Sequence, residues 1–154
     1  MADAKITQLT ADTAPLDADV FPIVDIANNS TKKVTWLTIK SFLLGGGRTT
    51  EVTGTSQTAV INKRYVANNA ALVTVTLPTT AALGDTVEIV GKGAGGWKVA
   101  QNASQLINFG ASTTTTGTGG SIASNHRRDC VTLVCVTANT DWQVVNSVGT
   151  ITIV

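Results

Sequence analysis

Short bursts of alternating apolar and polar residues, each cut off by a turn former, fill the chain beyond residue 59. Leu72-Val-Thr-Val-Thr-Leu77 sends Val73, Val75 and Leu77 to one side and Thr74 and Thr76 to the other, the period of a half-buried strand. Pro78 stops that burst, and Gly84-Asp85 makes a turn before Thr86-Val-Glu-Ile-Val90. Further strands are predicted over 97–101, 105–109, 130–137, 142–146 and 150–154, with Asn139-Thr-Asp141 as a turn. Seven or eight strands between Gly, Asn and Thr-rich turns predict a jelly-roll or β-sandwich-like module over 59–154. The pattern shows no repeat of solenoid length. The β-branched final strand is expected to be tied into a sheet, its own or a neighbour's.

The first 44 residues read differently. Ala18-Asp-Val-Phe-Pro-Ile-Val-Asp25 reads as a short extended segment that Pro22 keeps out of a sheet centre. Ala27-Asn-Asn-Ser30 predicts a turn and Lys32-Lys-Val-Thr35 the return strand of a small hairpin. Residues 36–44 predict a short helix with Trp36, Ile39, Phe42 and Leu43 on one face, Thr35 as its N-cap and Gly45-Gly-Gly47 as its end. Residues 45–58, with almost no apolar side chains, read as a Gly/Thr-rich linker. Three parts follow: an attachment segment (1–44), a linker (45–58) and a β module (59–154).

Composition strengthens the β reading and adds an expectation of assembly. Thr occurs 26 times in 154 residues and only 14% of residues are charged, about half the usual share. A charge-poor surface suits a protein that hides part of itself against neighbours. A net charge of +1 gives no electrostatic case for nucleic acid or an anionic membrane, and His126-Arg127-Arg128 is too short for a nucleic-acid patch. The polar opening Met1-Ala-Asp-Ala-Lys5 predicts no signal peptide, and no apolar run reaches a membrane span.

Candidate chemistry is thin. Gly91-Lys-Gly-Ala-Gly-Gly96 matches a dinucleotide signature in letters, but the residues after it alternate like a strand, and the signature needs a helix N-terminus there. A hairpin loop is expected instead. Ser124, His126 and Asp129 have triad residue types crowded into six positions, which predicts a polar loop. One His and two Cys cannot make a tetrahedral zinc centre. Cys130 and Cys135, an odd number apart on one strand, face opposite ways and cannot form a disulfide. Trp97 and Trp142 begin strand-like runs and are expected to pack in the core or a subunit interface rather than stack on sugar. The 113–120 run is expected to be a long surface loop, or in a trimer a segment that wraps a neighbour. No cofactor, metal or catalytic residue is expected.

Several segments together carry a resemblance. Lys5-Ile-Thr-Gln-Leu-Thr10, Asp19-Val-Phe-Pro-Ile-Val24 and Thr31-Lys-Lys-Val-Thr-Trp-Leu-Thr-Ile-Lys40 resemble the N-terminal segment of tailed-bacteriophage virion proteins, both tail fibres and head-attached fibres or decorations. Tyr65-Val-Ala-Asn68, Leu77-Pro78, Gly84-Asp85, Gly95-Gly-Trp97, Gln105-Leu-Ile-Asn-Phe-Gly110, Gly119-Gly-Ser-Ile122 and Ala138-Asn-Thr-Asp-Trp142 resemble the C-terminal β module of phage fibre-like proteins. The resemblance implies a non-enzymatic virion protein, a homotrimer assembled in the bacterial cytoplasm, with no catalytic residues. No coiled coil or shaft separates the two ends, which favours a capsid decoration (cement) or head fibre bound to the major capsid protein. The alternative is a short tail fibre or knob contacting tail proteins or a host glycan. Val20, Phe21, Ile23, Trp36, Ile39 and Phe42 are the expected attachment contacts, and Trp97 and Trp142 the packing or interface residues of the module.

Overall fold

The computed structural model describes residue 16 and residues 20–25, 30–39 and 48–154. The chain divides into two units, Met1–Gly47 and Arg48–Val154. In the first, β1 (Val20–Asp25) and β2 (Ser30–Thr35) form an antiparallel ribbon in which Val20 faces Thr35 and Asp25 faces Ser30. Pro22 is tolerated because both strands of a two-stranded ribbon are edges. Residues 36–39 are helical, and the Thr35 hydroxyl accepts the Thr38 N–H at 3.1 Å as an N-cap. The expected turn at 27–30 falls mostly, and the helix beyond Ile39 with Phe42 wholly, outside the described residues.

The second unit is mainly β and sandwich-like. It contains β3 (Thr49–Val52), β4 (Ser56–Thr58), β5 (Lys63–Ala67), β6 (Val73–Thr76), β7 (Thr86–Gly91), β8 (Trp97–Ala100), β9 (Leu106–Phe109), β10 (Ser112–Thr113), β11 (Ser121–Ser124), β12 (Cys130–Thr137), β13 (Asp141–Val148) and β14 (Ile151–Ile153). A seven-stranded sheet has the order β10-β9-β13-β12-β7-β5-β3 and a five-stranded sheet the order β14-β11-β8-β6-β4.

From β3 to β8 the chain alternates between the sheets, so β3, β5 and β7 stack in parallel in one and β4, β6 and β8 in the other. A parallel pair needs a crossover, and here the opposite sheet supplies it. The winding resembles three rungs of a solenoid rather than the antiparallel Greek keys of a jelly roll. It also corrects two expectations. Residues 48–58 are not a linker: β3 and β4 are the first rung, with Val52 buried in the core. Half-buried edge strands built from Thr need few apolar side chains to hold their place. The 91–96 run is not a hairpin loop either, because β7 and β8 lie in different sheets. Its glycines let one arch rest on the arch below: a Cβ on Gly93 or Gly95 would sit within 2.3 Å of backbone atoms of Asn69 or Ala71.

The remaining strands close the structure. β11 and β12 run antiparallel to β8 and β7, and β13 returns beside β12. β14 edges the smaller sheet and β9 lies parallel to β13. Inward positions from both sheets meet in one core: Tyr65, Val73, Val75, Leu77, Val87, Ile89, Trp97, Val99, Ile107, Ile122, Val131, Leu133, Cys135 and Trp142 are essentially inaccessible. Each such side chain contributes roughly 1.5–3 kcal/mol when fully buried.

Candidate assembly surfaces

The ribbon unit presents apolar groups. Val20 is 50% exposed and Phe21 40%, and Leu37 on the helical turn is 50% exposed. The Phe21 and Trp36 rings stand 6.1 Å apart, tilted by 53°, within the range over which aromatic pairs attract. Trp36 and Ile39 are half-buried, and Ile23 lies in β1 in register with Lys32. A two-stranded ribbon is marginal in water, so an aromatic pair that stays half open is suited to packing on another surface.

Within the module, Trp97 and Trp142 are fully buried, which removes both from any stacking role on the surface. The Trp97 backbone N–H donates to the Ser124 hydroxyl at 2.8 Å, and its indole N–H to the Asp129 carbonyl at 2.7 Å. The Trp142 indole nitrogen is buried without a hydrogen-bond partner. Ser124, His126 and Asp129 form one turn: the Asp129 carboxylate accepts the backbone N–H groups of Asn125 (3.0 Å) and His126 (2.9 Å). The His126 ring is exposed and 3.9 Å from that carboxylate. Ser124 is engaged with the Trp97 backbone on both its donor and acceptor sides, so these groups hold backbone rather than each other. Cys130 is half-exposed and Cys135 buried, both as free thiols. Burial is the main reason the Cys135 thiol is pushed up from its ordinary pKa.

One end of the sandwich carries a buried amide cluster that the sequence pattern did not reveal. The Gln105 amide donates to the carbonyls of Pro78 (2.8 Å) and Asn139 (3.2 Å), while its oxygen accepts from the Asn102 N–H and side-chain amide. The Gln101 amide donates to the Gln105, Thr115 and Gly117 carbonyls, and its oxygen accepts the Thr114 hydroxyl. The 113–120 run is a surface loop, as expected, pinned from beneath at Thr114, Gly117 and Gly120. Thr114 is buried and its hydroxyl accepts the Ile107 N–H.

The outer face of the larger sheet carries a largely uncharged row. Val66, Val90, Cys130 and Val148 lie side by side in one cross-strand row pointing away from the core. The adjacent row is Arg64, Glu88, Thr132 and Asn146, and its two charges cancel in a two-pronged ion pair at 2.8 and 3.1 Å. Glu88 is the main reason the Arg64 pKa is raised. The two eight-residue strands, β12 and β13, carry one charged residue between them, Asp141 at an end. The signal available in the sequence was that run of uncharged residues, with Val or Cys on both faces.

Beside this face, β9 leaves β13 after Asn108 pairs with Gln143, whereas β13 continues to Val148. Phe109, Gly110, Val144, Val145, Asn146 and Ser147 line the resulting recess of about 280 Å³. Among the described residues there is no cluster of three or more His, Cys, Asp or Glu side chains able to hold a metal ion.

No protein-family model matches the chain, and no curated protein sequence matches it.

Proposed function

We propose that this chain is a non-enzymatic structural protein of a tailed-bacteriophage virion, acting as a homotrimeric capsid decoration (cement) or head-fibre protein. The observation that carries the reading is the ribbon unit, whose exposed Val20, Phe21 and Leu37 form a small apolar grip joined to a well-packed β module. Holding adjacent capsomers needs buried apolar area and strand edges, not reactive groups. The structural employment of Ser124 and Asp129 supports a role without catalysis. The partner is the major capsid protein, and the location is the virion surface. The test is to add the purified chain to particles lacking it: wild type should co-sediment, and Phe21→Ser should lose at least tenfold in occupancy. Particles that neither contain nor take up the chain would refute the reading.

The recess beside Phe109 favours one rival, a short tail-fibre knob that binds a host glycan. Its aromatic wall and polar rim at Asn146 and Ser147 are the kind of site a sugar ring fits. Calorimetric binding of host polysaccharide that Phe109→Ala abolishes would favour this rival over the decoration role.

A further inference from the structure

We infer that the outer face of the seven-stranded sheet, centred on the Val66–Val90–Cys130–Val148 row, is where copies of this chain pack on one another. The inference rests on the homo-oligomer in the reading above and names the surface that forms it.

The first argument is charge. A sheet that turns one face to water ordinarily alternates apolar-in with charged or polar-out residues. Here β12 places Cys130, Thr132 and Val134 outward and β13 places Gln143, Asn146 and Val148 outward, all uncharged. In the adjacent row Arg64 and Glu88 neutralise each other. Glu51 continues the row beside Val66 and is paired with Lys92, and the exposed Arg127 and Arg128 lie at the end of β12 next to Cys130. With these pairs closed, the row itself is close to neutral, and the basic residues stand only at its end. The row also offers no aromatic ring for a sugar. A surface of the same kind complements it without uncompensated charge: β-branched rows interdigitate, while Thr132 and Asn146 supply hydrogen bonds.

The second argument is size. Strands about 4.8 Å apart, with the longest running about 27 Å, make a flat face on the order of 600 Å² before side-chain relief is added. A standard stable interface buries about 800 Å² per partner. In the homotrimer three such faces turn inward about one three-fold axis, so that each meets its two neighbours rather than a two-fold mate. Sealing Val66, Val90, Cys130 and Val148 from water supplies the apolar centre that such an interface needs.

The test uses the full chain in light scattering coupled to gel filtration, with circular dichroism to confirm that each variant folds. Val90→Lys and Val148→Lys both place a charge in the row without touching the core, and each should shift the mass from a multiple of 15.9 kDa to a single chain. Leu83→Lys, at a turn where the side chain is 76% exposed, should leave the mass unchanged. Cys130 serves as a probe: N-ethylmaleimide should label it at least tenfold faster in folded Val90→Lys than in wild type. A folded Val90→Lys or Val148→Lys chain that keeps the wild-type mass would overturn the inference while leaving the virion role standing. A monomeric wild-type chain would overturn it too. Absence from particles, with dissociation by Val90→Lys intact, would instead remove the virion role alone.

Discussion

The indole nitrogen of Trp97 on β8 donates to the backbone carbonyl of Asp129, just before β12, at 2.7 Å. One bond thereby ties the smaller sheet to the entry of the larger sheet's central strand. The same carbonyl also accepts the Gly91 N–H at 3.0 Å, so replacing the indole leaves it partly satisfied. Trp97→Phe keeps the apolar body and removes the donor. It should lower stability by about 1–2 kcal/mol in urea titrations, plus a smaller cavity cost, without changing the fold by circular dichroism.

The Asp129 side chain is packed as tightly as its carbonyl. Gly149 adopts φ +93°, and a Cβ there would fall 1.9 Å from the Asp129 Oδ1 atom. Gly149→Ala therefore combines left-handed strain with a steric conflict against a buried carboxylate that holds the 125–126 turn. A loss of about 2–4 kcal/mol is expected, read as a drop in thermal midpoint, whereas Gly119→Ala, with open space around it, should change little.

Gln105 tests the buried amide cluster. Its side chain closes bonds to Pro78, Asn139 and Asn102. Gln105→Leu keeps the volume but leaves those backbone groups buried and unpaired. The expected cost is about 2–4 kcal/mol, because each orphaned group forfeits roughly 1–3 kcal/mol. Hydrogen exchange should report it locally, with loss of protection at Asn102 before the core strands.

How much of this was legible in the sequence varies with the physics involved. The strands of the module were legible wherever one face is buried: period two at Val73 and Val75, or at Leu133 and Cys135, directly encodes which side meets the core. The turns at Gly84 and Asn139 were legible too, since both need positive φ. The parallel winding was not. Thr49 pairs with Arg64 and Arg64 with Glu88, steps of 15 and 24 residues, so no fixed period exists for a repeat search to find. The first rung escaped notice because Thr-rich edge strands look like a linker when only one residue, Val52, is fully buried in β3. The amide cluster is a property of converging loops, and no local pattern encodes it. The Val66–Val90–Cys130–Val148 row is likewise assembled from four strands, each contributing one ordinary residue.

Cys135 and Cys130 should behave as different chemical species. Cys135 lies in the core, its Sγ donates to the Thr137 carbonyl at 3.2 Å, and burial raises its thiol pKa. A raised folded pKa favours the protonated thiol. Its contribution to stability is therefore complete below the unfolded pKa and falls away as pH rises through the folded value. In a Cys130→Ser background, a maleimide probe should leave Cys135 unlabelled in the native protein and react within minutes in denaturant. Labelling of the native protein as fast as in denaturant would mean that the core opens at β12.

Glu51 on β3 links the first rung to the arch above it. Its carboxylate accepts from Lys92 Nζ at 2.5 Å and from the Asn68 side-chain amide at 2.9 Å. The Lys92 hydrogen bond and charge hold its pKa below the ordinary carboxylate value. A depressed folded pKa contributes stability that is present above the unfolded pKa and lost as pH falls through the folded one. Glu51→Gln keeps the shape and removes the charge. Its thermal midpoint should therefore sit slightly below wild type near neutral pH and converge on it as the medium is acidified through the carboxylate range. Since the pair is solvent-exposed, the neutral-pH gap should also shrink in molar salt. A gap that persisted unchanged at low pH would assign the effect to lost packing or to the Asn68 hydrogen bond instead of to the Lys92 pairing.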